Sequence, residues 1–177
     1  MKRTLALSFV LVALAGRSAF AGDVESWVLS QDGIGLAKVG INIDQLQRVI
    51  QEKLAYDSAR NGDCSQITNK HLGPMGLSFT IEAGYLTRVD VEYYGTDPRP
   101  LLFKTEAGIG LGSREEDLLT AYPGARIKPN PADPTWHTVI VESSDHAKGM
   151  VFETNGQTVK SIRMGIFRAI SHSNACN

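Results

Sequence analysis

Two stretches of the chain place apolar residues three and four positions apart, a spacing that is typical of amphipathic helices. Before the first stretch, Asn42 can cap a helix and Gln45, three residues on, can complete a capping box. Ser113 and Glu116 stand in the same relation before the second stretch, and Pro123-Gly124 follows it as a stop signal. The apolar positions are Ile43, Leu46, Val49, Ile50 and Leu54 in the first predicted helix and Leu118, Leu119 and Tyr122 in the second.

Each predicted helix is followed by segments that favour antiparallel strands. Residues 77–81 alternate apolar and polar side chains, and residues 86–91 return after a turn at Ala83-Gly84. The arrangement recurs in the second half, where Asn155-Gly156 between two apolar runs is a strong hairpin signal. These later predicted strands are residues 150–154 and 159–164, and a further strand at residues 138–141 precedes them.

The two halves of the chain correspond position by position. Phe79 and Phe152 are 73 positions apart, and so are Val89 and Ile162. This spacing predicts an internal duplication; the alternative is a coincidence between two ordinary stretches of helix and strand. We therefore predict the α+β class, with two tandem units that each contain a helix followed by an antiparallel sheet. The predicted boundaries are 22–97 for the first unit, 98–105 for the linker and 106–177 for the second unit, within one pseudo-duplicated domain.

Residues 1–21 have the features of a cleavable secretory signal. Lys2 and Arg3 form a cationic start, and the apolar run at residues 5–15 is too short for a stable membrane anchor. Ala19-Phe20-Ala21 is an A-x-A cleavage site, and Arg17 stands where a lipoprotein signal would need a cysteine. We expect Sec export and a secreted or periplasmic product without a lipid anchor; the alternative is a buried N-terminal helix.

Composition changes this picture through charge and cysteine content. The chain has 18 Lys and Arg against 19 Asp and Glu, and removal of the signal with its three basic residues changes the formal charge from −1 to −4. This balance argues against nucleic-acid binding, which needs a concentrated basic surface.

Cys64 and Cys176 are the only cysteines, and in an oxidising compartment they most simply form one disulfide. The alternatives are two unpaired thiols or a shared metal ion.

The sequence contains no motif that is specific for catalysis, a cofactor or a metal. The glycine-rich segment at residues 108–113 lacks the lysine of a phosphate loop and the spacing of a dinucleotide fold. Residues 143–146, Ser-Ser-Asp-His, include triad residue types, but neighbours in one turn do not converge as a triad does. Acidic residues on or beside predicted strands leave open a hydrolase with paired carboxylates. The carboxylates are those of Glu82, Glu92, Glu142 and Glu153.

The four histidines do not have the spacing of metal ligands along the chain. They are His71, His137, His146 and His172.

Four residues form the candidate partner surface. Tyr93 and Tyr94 are adjacent, so on a strand they point to opposite faces and one of them should be exposed. Trp136 and His137 follow a proline-rich loop. Exposed Tyr and Trp side chains are common anchors of protein interfaces. The alternative for Trp136 is that it covers the core.

Short motifs in both halves resemble those of an uncharacterised family of bacterial exported proteins and lipoproteins. They include Asp32-Gly33-Ile34-Gly35, Gly76-Leu77-Ser78-Phe79 and residues 149–156, together with a cysteine near the C-terminus. The resemblance spans nearly the whole mature chain and implies no established activity. The tandem plan of helix and sheet is also similar in architecture to β-lactamase-inhibitor proteins and to small outer-membrane assembly lipoproteins, and architecture does not fix function.

We therefore expect a soluble binding module or inhibitor, non-enzymatic and without cofactor or metal, that acts on an envelope or secreted protein. A sheet whose helices cover one face leaves the other face open to a partner. The alternatives are the cell-envelope hydrolase with paired carboxylates and an envelope structural or assembly factor.

Overall fold

The computed structural model describes residues 26–56, 63–93 and 98–176. The predicted signal at residues 1–21 and the candidate Tyr94 lie outside the described residues. The described chain is of the α+β class, as predicted, with few helices and with antiparallel sheets. The domain boundaries stay predictions.

The described elements alternate between short helices and antiparallel strands along the chain. A small three-stranded sheet of β1 (Leu29–Ser30), β2 (Gly33–Ile34) and β3 (Ala37–Lys38) comes first and is followed by α1 (Ile43–Ile50). The large sheet contains β4 (Cys64–Ile67), β5 (Leu77–Glu82), β6 (Tyr85–Glu92), β7 (Arg126–Pro129), β8 (His137–Glu142), β9 (Lys148–Thr154) and β10 (Val159–Ile166). A short 3-10 helix at Arg99–Leu102 follows β6. Two further α-helices are α2 (Glu115–Ala121), which precedes β7, and α3 (Phe167–Ile170), which follows β10.

The large sheet joins both halves of the chain in the strand order β4-β5-β6-β10-β9-β8-β7. β6 and β10 pair at the junction of the halves, with Val89 opposite Met164. Asp90 lies opposite Arg163, and these two residues are 73 positions apart, which is the offset of the predicted repeat. In a duplicated chain, a local two-fold axis would therefore pass between Asp90 and Arg163.

The core lies on the face of the large sheet that packs against α1 and α2. Leu46 of α1 and Leu118 of α2 are fully buried in one cluster with Phe79 and Phe152. The Tyr122 ring, at the end of α2, lies 6.0 Å from the Phe152 ring between centroids. Burying a large apolar side chain contributes about 1.5–3 kcal/mol, so this face supplies much of the folding free energy.

The opposite face of the large sheet is polar and is covered in part by the C-terminal segment. Ile170 of α3 is fully buried against Ile140 and Val151 in a second small cluster. The chain then crosses to the edge strand β4, where Cys64 and Cys176 form the predicted disulfide with a Cα–Cα distance of 5.6 Å. The sequence predicted an open second face, and the C-terminal segment covers part of it.

The two predicted helices begin differently. At α1 the capping box is present: the Asn42 side chain accepts from the Gln45 amide, and the Gln45 side chain accepts from the Asn42 amide, both at 2.9 Å. At α2 the predicted cap is wrong. The Ser113 hydroxyl accepts a hydrogen bond from the Gly110 amide at 3.0 Å, and the helix begins one residue later, after Arg114, without a side-chain cap.

Candidate partner-binding surface

Three of the four candidate residues lie at one end of the large sheet, which we call the sheet end. Here β6 and β9 finish, and β8 and β10 begin. Tyr93 follows β6 and its exposed fraction is 45%, while Trp136 precedes β8 and its exposed fraction is 36%. The strands β6 and β8 are three places apart in the sheet, so the two aromatic residues are separated by about 14 Å along it.

Trp136 is held by an ordered turn between β7 and β8. Its amide donates to the Asp133 carbonyl at 2.9 Å, and its carbonyl accepts from the Asn130 amide at 2.7 Å. The Thr135 hydroxyl and amide both donate to the Asp133 carboxylate, and these hydrogen bonds lower the pKa of that group. The main chain at Trp136 is therefore fixed before any partner arrives, which reduces the entropy lost on binding.

His137 belongs to a polar cluster at the sheet end rather than standing alone. Its Nδ1 atom lies 2.9 Å from both carboxylate oxygens of Glu115, the first residue of α2. A carboxylate only accepts, so Nδ1 carries the hydrogen. Thr154, which pairs with His137 across β8 and β9, donates its hydroxyl to the same carboxylate. The sequence alone gives no sign of this contact between Glu115 and His137, because it depends on the packing of distant segments.

A tight turn between β9 and β10 brings these pieces together. Gly156 has φ +78, and a Cβ at this position would lie 2.6 Å from the Thr135 carbonyl oxygen. Asn155 stabilises the turn, because its side chain accepts from the Thr158 amide at 2.9 Å. The Asn-Gly signal thus produces the predicted hairpin and also lets the turn pack closely against the loop that precedes Trp136.

An open depression of about 600 Å³ lies beside the His137–Glu115–Thr154 cluster. It runs between the start of α2 and the turn after β9, and its lining mixes charged, polar and apolar groups. Arg114 and Glu116 at its rim are paired with each other, and both side chains are largely exposed. Such a shallow surface of mixed charge suits the rim of a protein interface.

The four carboxylates of the hydrolase alternative are distributed over the large sheet. Glu82, the last residue of β5, pairs with Arg168, and Glu142, the last residue of β8, pairs with Arg126. Glu92 and Glu153 lie on the second face, each opposite Ser161 on one of the strands that flank β10. Both oxygens of Glu153 are engaged: one accepts from Arg163 at 2.7 Å, and the other accepts from the Thr138 hydroxyl at 2.9 Å. The sheet thus brings two of the four together.

The residues of the 143–146 run form a turn rather than a triad. The Ser143 hydroxyl lies 2.6 Å from the Asp145 carboxylate, and the Ala147 amide donates to the same group. These two hydrogen bonds lower the pKa of Asp145. His146 contacts Glu142 at 2.6 Å and not Asp145. The hydrogen bonds of the loop therefore account for the serine, aspartate and histidine residues in this run.

A buried ion pair on the second face was missed by sequence reasoning. Arg88 and Asp90 alternate along β6, and both side chains are only 3% exposed. The Arg88 Nε atom lies 2.9 Å from both oxygens of Asp90, and Nη2 lies 2.5 Å from one of them. Burial raises the pKa of Asp90, against the hydrogen bonds and the charge of Arg88. Charged residues at alternate positions of a strand ordinarily indicate a solvated face, so the pattern gave no sign of this pair.

Within the described ranges, no group of three or more His, Cys, Asp or Glu side chains could hold a metal ion. Among the helices of that same part of the chain, none is long and apolar enough to cross a membrane. Comparison of the chain with protein-family models, with curated proteins and with solved structures finds no match.

Proposed function

We propose that the exported, processed chain is a non-enzymatic binding module that contacts an envelope or secreted protein through the sheet end. The proposal depends above all on one observation. Tyr93 and Trp136 are exposed at the same end of one rigid sheet, with the ordered His137–Glu115–Thr154 cluster close to Trp136. Exposed aromatic side chains on fixed main chain are the usual anchors of an interface.

The chemistry of the surrounding surface supports a protein partner. The depression beside His137 is shallow and open, and its rim has one basic and one acidic side chain, Arg114 and Glu116. An enzyme site would favour a deep, mostly apolar pocket with converging polar groups. A shallow surface of mixed charge with some apolar groups instead suits the edge of a protein interface.

A pull-down with mature protein (residues 22–177) from an envelope extract, read by mass spectrometry, tests this proposal. Tyr93→Ser and Trp136→Ser should each lower recovery of the partner about tenfold or more, as loss of an interface anchor does. Tyr85→Ser is the matched control and should leave recovery unchanged, because Tyr85 is 53% exposed but lies at the opposite end of β6. Equal recovery with all three variants, or no reproducible partner, would count against the sheet end.

The second candidate function is a cell-envelope hydrolase, and the pair Glu92 and Glu153 favours it. Their two strands flank β10, which separates their main chains by about 10 Å, compatible with a pair of carboxylates across a bound substrate. The engagement of Glu153 by Arg163 and Thr138 argues against a role as proton donor. Hydrolysis of purified cell-wall glycan that disappears in both Glu92→Gln and Glu153→Gln would support this candidate over the binding module.

A further inference from the structure

The last residues of the chain cross the second face of the large sheet, and different forces hold different parts of them. α3 is anchored by burial, since Ile170 is fully enclosed by Ile140 and Val151. The six residues 171–176, which we call the tail, are exposed or half-buried. The tail therefore gains little from the hydrophobic effect and depends on polar and covalent contacts.

One buried side chain, Arg88, donates to the main chain of the tail beyond Ser171, which itself bonds back to α3. Arg88 Nη1 donates to the carbonyl oxygens of Ala169 at 3.2 Å and His172 at 2.9 Å, and Nη2 donates to that of Ser173 at 3.1 Å. Asp90 fixes the orientation of the guanidinium from below. Arg88 is thus covered because the tail lies over it, and the tail is ordered in part because Arg88 donates to its main chain.

The covalent contact is the disulfide at the far end of the tail. Cys176 is exposed and Cys64 is half-buried on the edge strand β4. A depression of about 420 Å³ lies between the tail and strands β4 and β6, next to both cysteines and Arg88. A small thiol can therefore reach the disulfide without any opening of the core, and exposed disulfides are the ones that exchange readily.

We propose that the tail is a redox-released strap: reduction of Cys64–Cys176 frees residues 171–176 and exposes Arg88, while the large sheet and α3 stay folded. In the reaction, an external dithiol is oxidised to its own disulfide and supplies two electrons and two protons, which leave one thiol on each cysteine. Ordering six residues costs main-chain entropy at each of them, and the few partly buried hydrogen bonds from Arg88 offset only part of that cost. Without the disulfide, the tail therefore detaches as far as the buried Ile170.

This inference does not depend on the sheet-end proposal, because it concerns the second face of the large sheet and a different set of residues. The test uses the mature chain, either oxidised or reduced and alkylated, and phenylglyoxal, which modifies accessible arginine side chains. Arg163 is the internal control: it donates to the Ile170 carbonyl at 2.7 Å and should stay covered by the part that remains anchored. Mass spectrometry of the digested protein gives the modification rate at each arginine.

After reduction, the rate at Arg88 should rise about tenfold or more, while the rate at Arg163 is unchanged. The Cys64→Ser/Cys176→Ser variant should behave like the reduced protein without any alkylation. An unchanged rate at Arg88 would show that Arg88 alone retains the tail and would overturn the strap. Equal increases at both arginines, together with loss of the circular dichroism of the sheet, would show that the disulfide holds the whole fold and would also overturn it.

Discussion

Removing Arg88 should destabilise the protein far more than removing an exposed arginine. Arg88→Met leaves the Asp90 carboxylate buried, since both side chains are only 3% exposed. Breaking one partner of a buried ion pair costs about 3–5 kcal/mol, because the remaining charge is uncompensated. The matched control is Arg114→Met, whose side chain is 66% exposed in a surface pair and whose loss should cost less than about 1 kcal/mol.

The double variant Arg88→Met/Asp90→Leu separates this cause from others. It removes the uncompensated charge, so we expect recovery of most of the loss, to within about 1–2 kcal/mol of the wild type. Arg163, which lies opposite Asp90, keeps its partner Glu153 at 2.7 Å. The lost hydrogen bonds to the tail cost little, because the exposed tail carbonyls can bond to water.

The loss in Arg88→Met should also depend on pH. Burial raises the pKa of Asp90 in the folded protein, and Arg88 is the main group that lowers it. A carboxyl group with a raised folded pKa binds more protons when folded, so its contribution to stability falls as pH rises from its unfolded pKa through its folded pKa. Without Arg88 the folded pKa of Asp90 rises further, so the pH range over which stability falls extends to higher pH. The difference between wild type and variant should therefore be small near pH 4 and grow toward neutral pH.

Urea unfolding at several pH values, followed by circular dichroism and the fluorescence of the buried Trp27, measures these free energies. A double variant as unstable as Arg88→Met would show that the uncompensated Asp90 charge is not the cause of the loss. An Arg88→Met cost equal to that of Arg114→Met, or one that falls as pH rises, would show the same.

Three further predictions concern covalent and main-chain constraints. Cys64→Ser/Cys176→Ser removes a crosslink with a sequence separation of 112 and should lower the urea unfolding free energy by up to about 5 kcal/mol; no loss would contradict the chain-entropy account. Asn42→Ala removes the capping box and should cost about 1 kcal/mol by thermal unfolding, with an unchanged midpoint as the contrary result. Gly76→Ala should cost at least about 2 kcal/mol, because φ is +70 at this position and the new Cβ would lie 1.9 Å from the Glu92 carbonyl oxygen. The control Gly124→Ala meets nothing within 4 Å and should be nearly neutral, so similar losses in both variants would refute the steric explanation.

The parts of the fold that depend on neighbouring residues could be predicted from the sequence. The capping box at Asn42 and the Asn155-Gly156 turn are local, and so is the alternation that defines β5, β6, β9 and β10. Both helices and these strands form at the predicted places, but α1 ends at Ile50, before the predicted helix position Leu54, because Gln51 adopts the left-handed conformation. α2 lacks its predicted cap because the Ser113 side chain bonds to Gly110. The disulfide followed from the count of cysteines, because two residues allow one pairing.

What was missed depends on contacts between distant segments. β4 and the edge strand β7 lack a clear alternation, and pairing with a neighbouring strand defines them. The alternating charges Arg88 and Asp90 on β6 predict a solvated face, but the C-terminal segment covers them in the folded protein. The contact between Glu115 and His137 joins residues 22 positions apart through the packing of α2 against the sheet. A single sequence carries no signal for such pairings.

The cross-strand pair of Asp90 and Arg163 has an evolutionary consequence if the halves are copies of one ancestral unit. In a symmetric dimer of that unit, this position would have faced itself, so any charge there would have met an identical charge, which destabilises a sheet. Only after duplication of the gene could the two copies differ. One acidic and one basic residue at this position would then record the loss of symmetry, and the attraction between them would favour the joined sheet over a return to separate units.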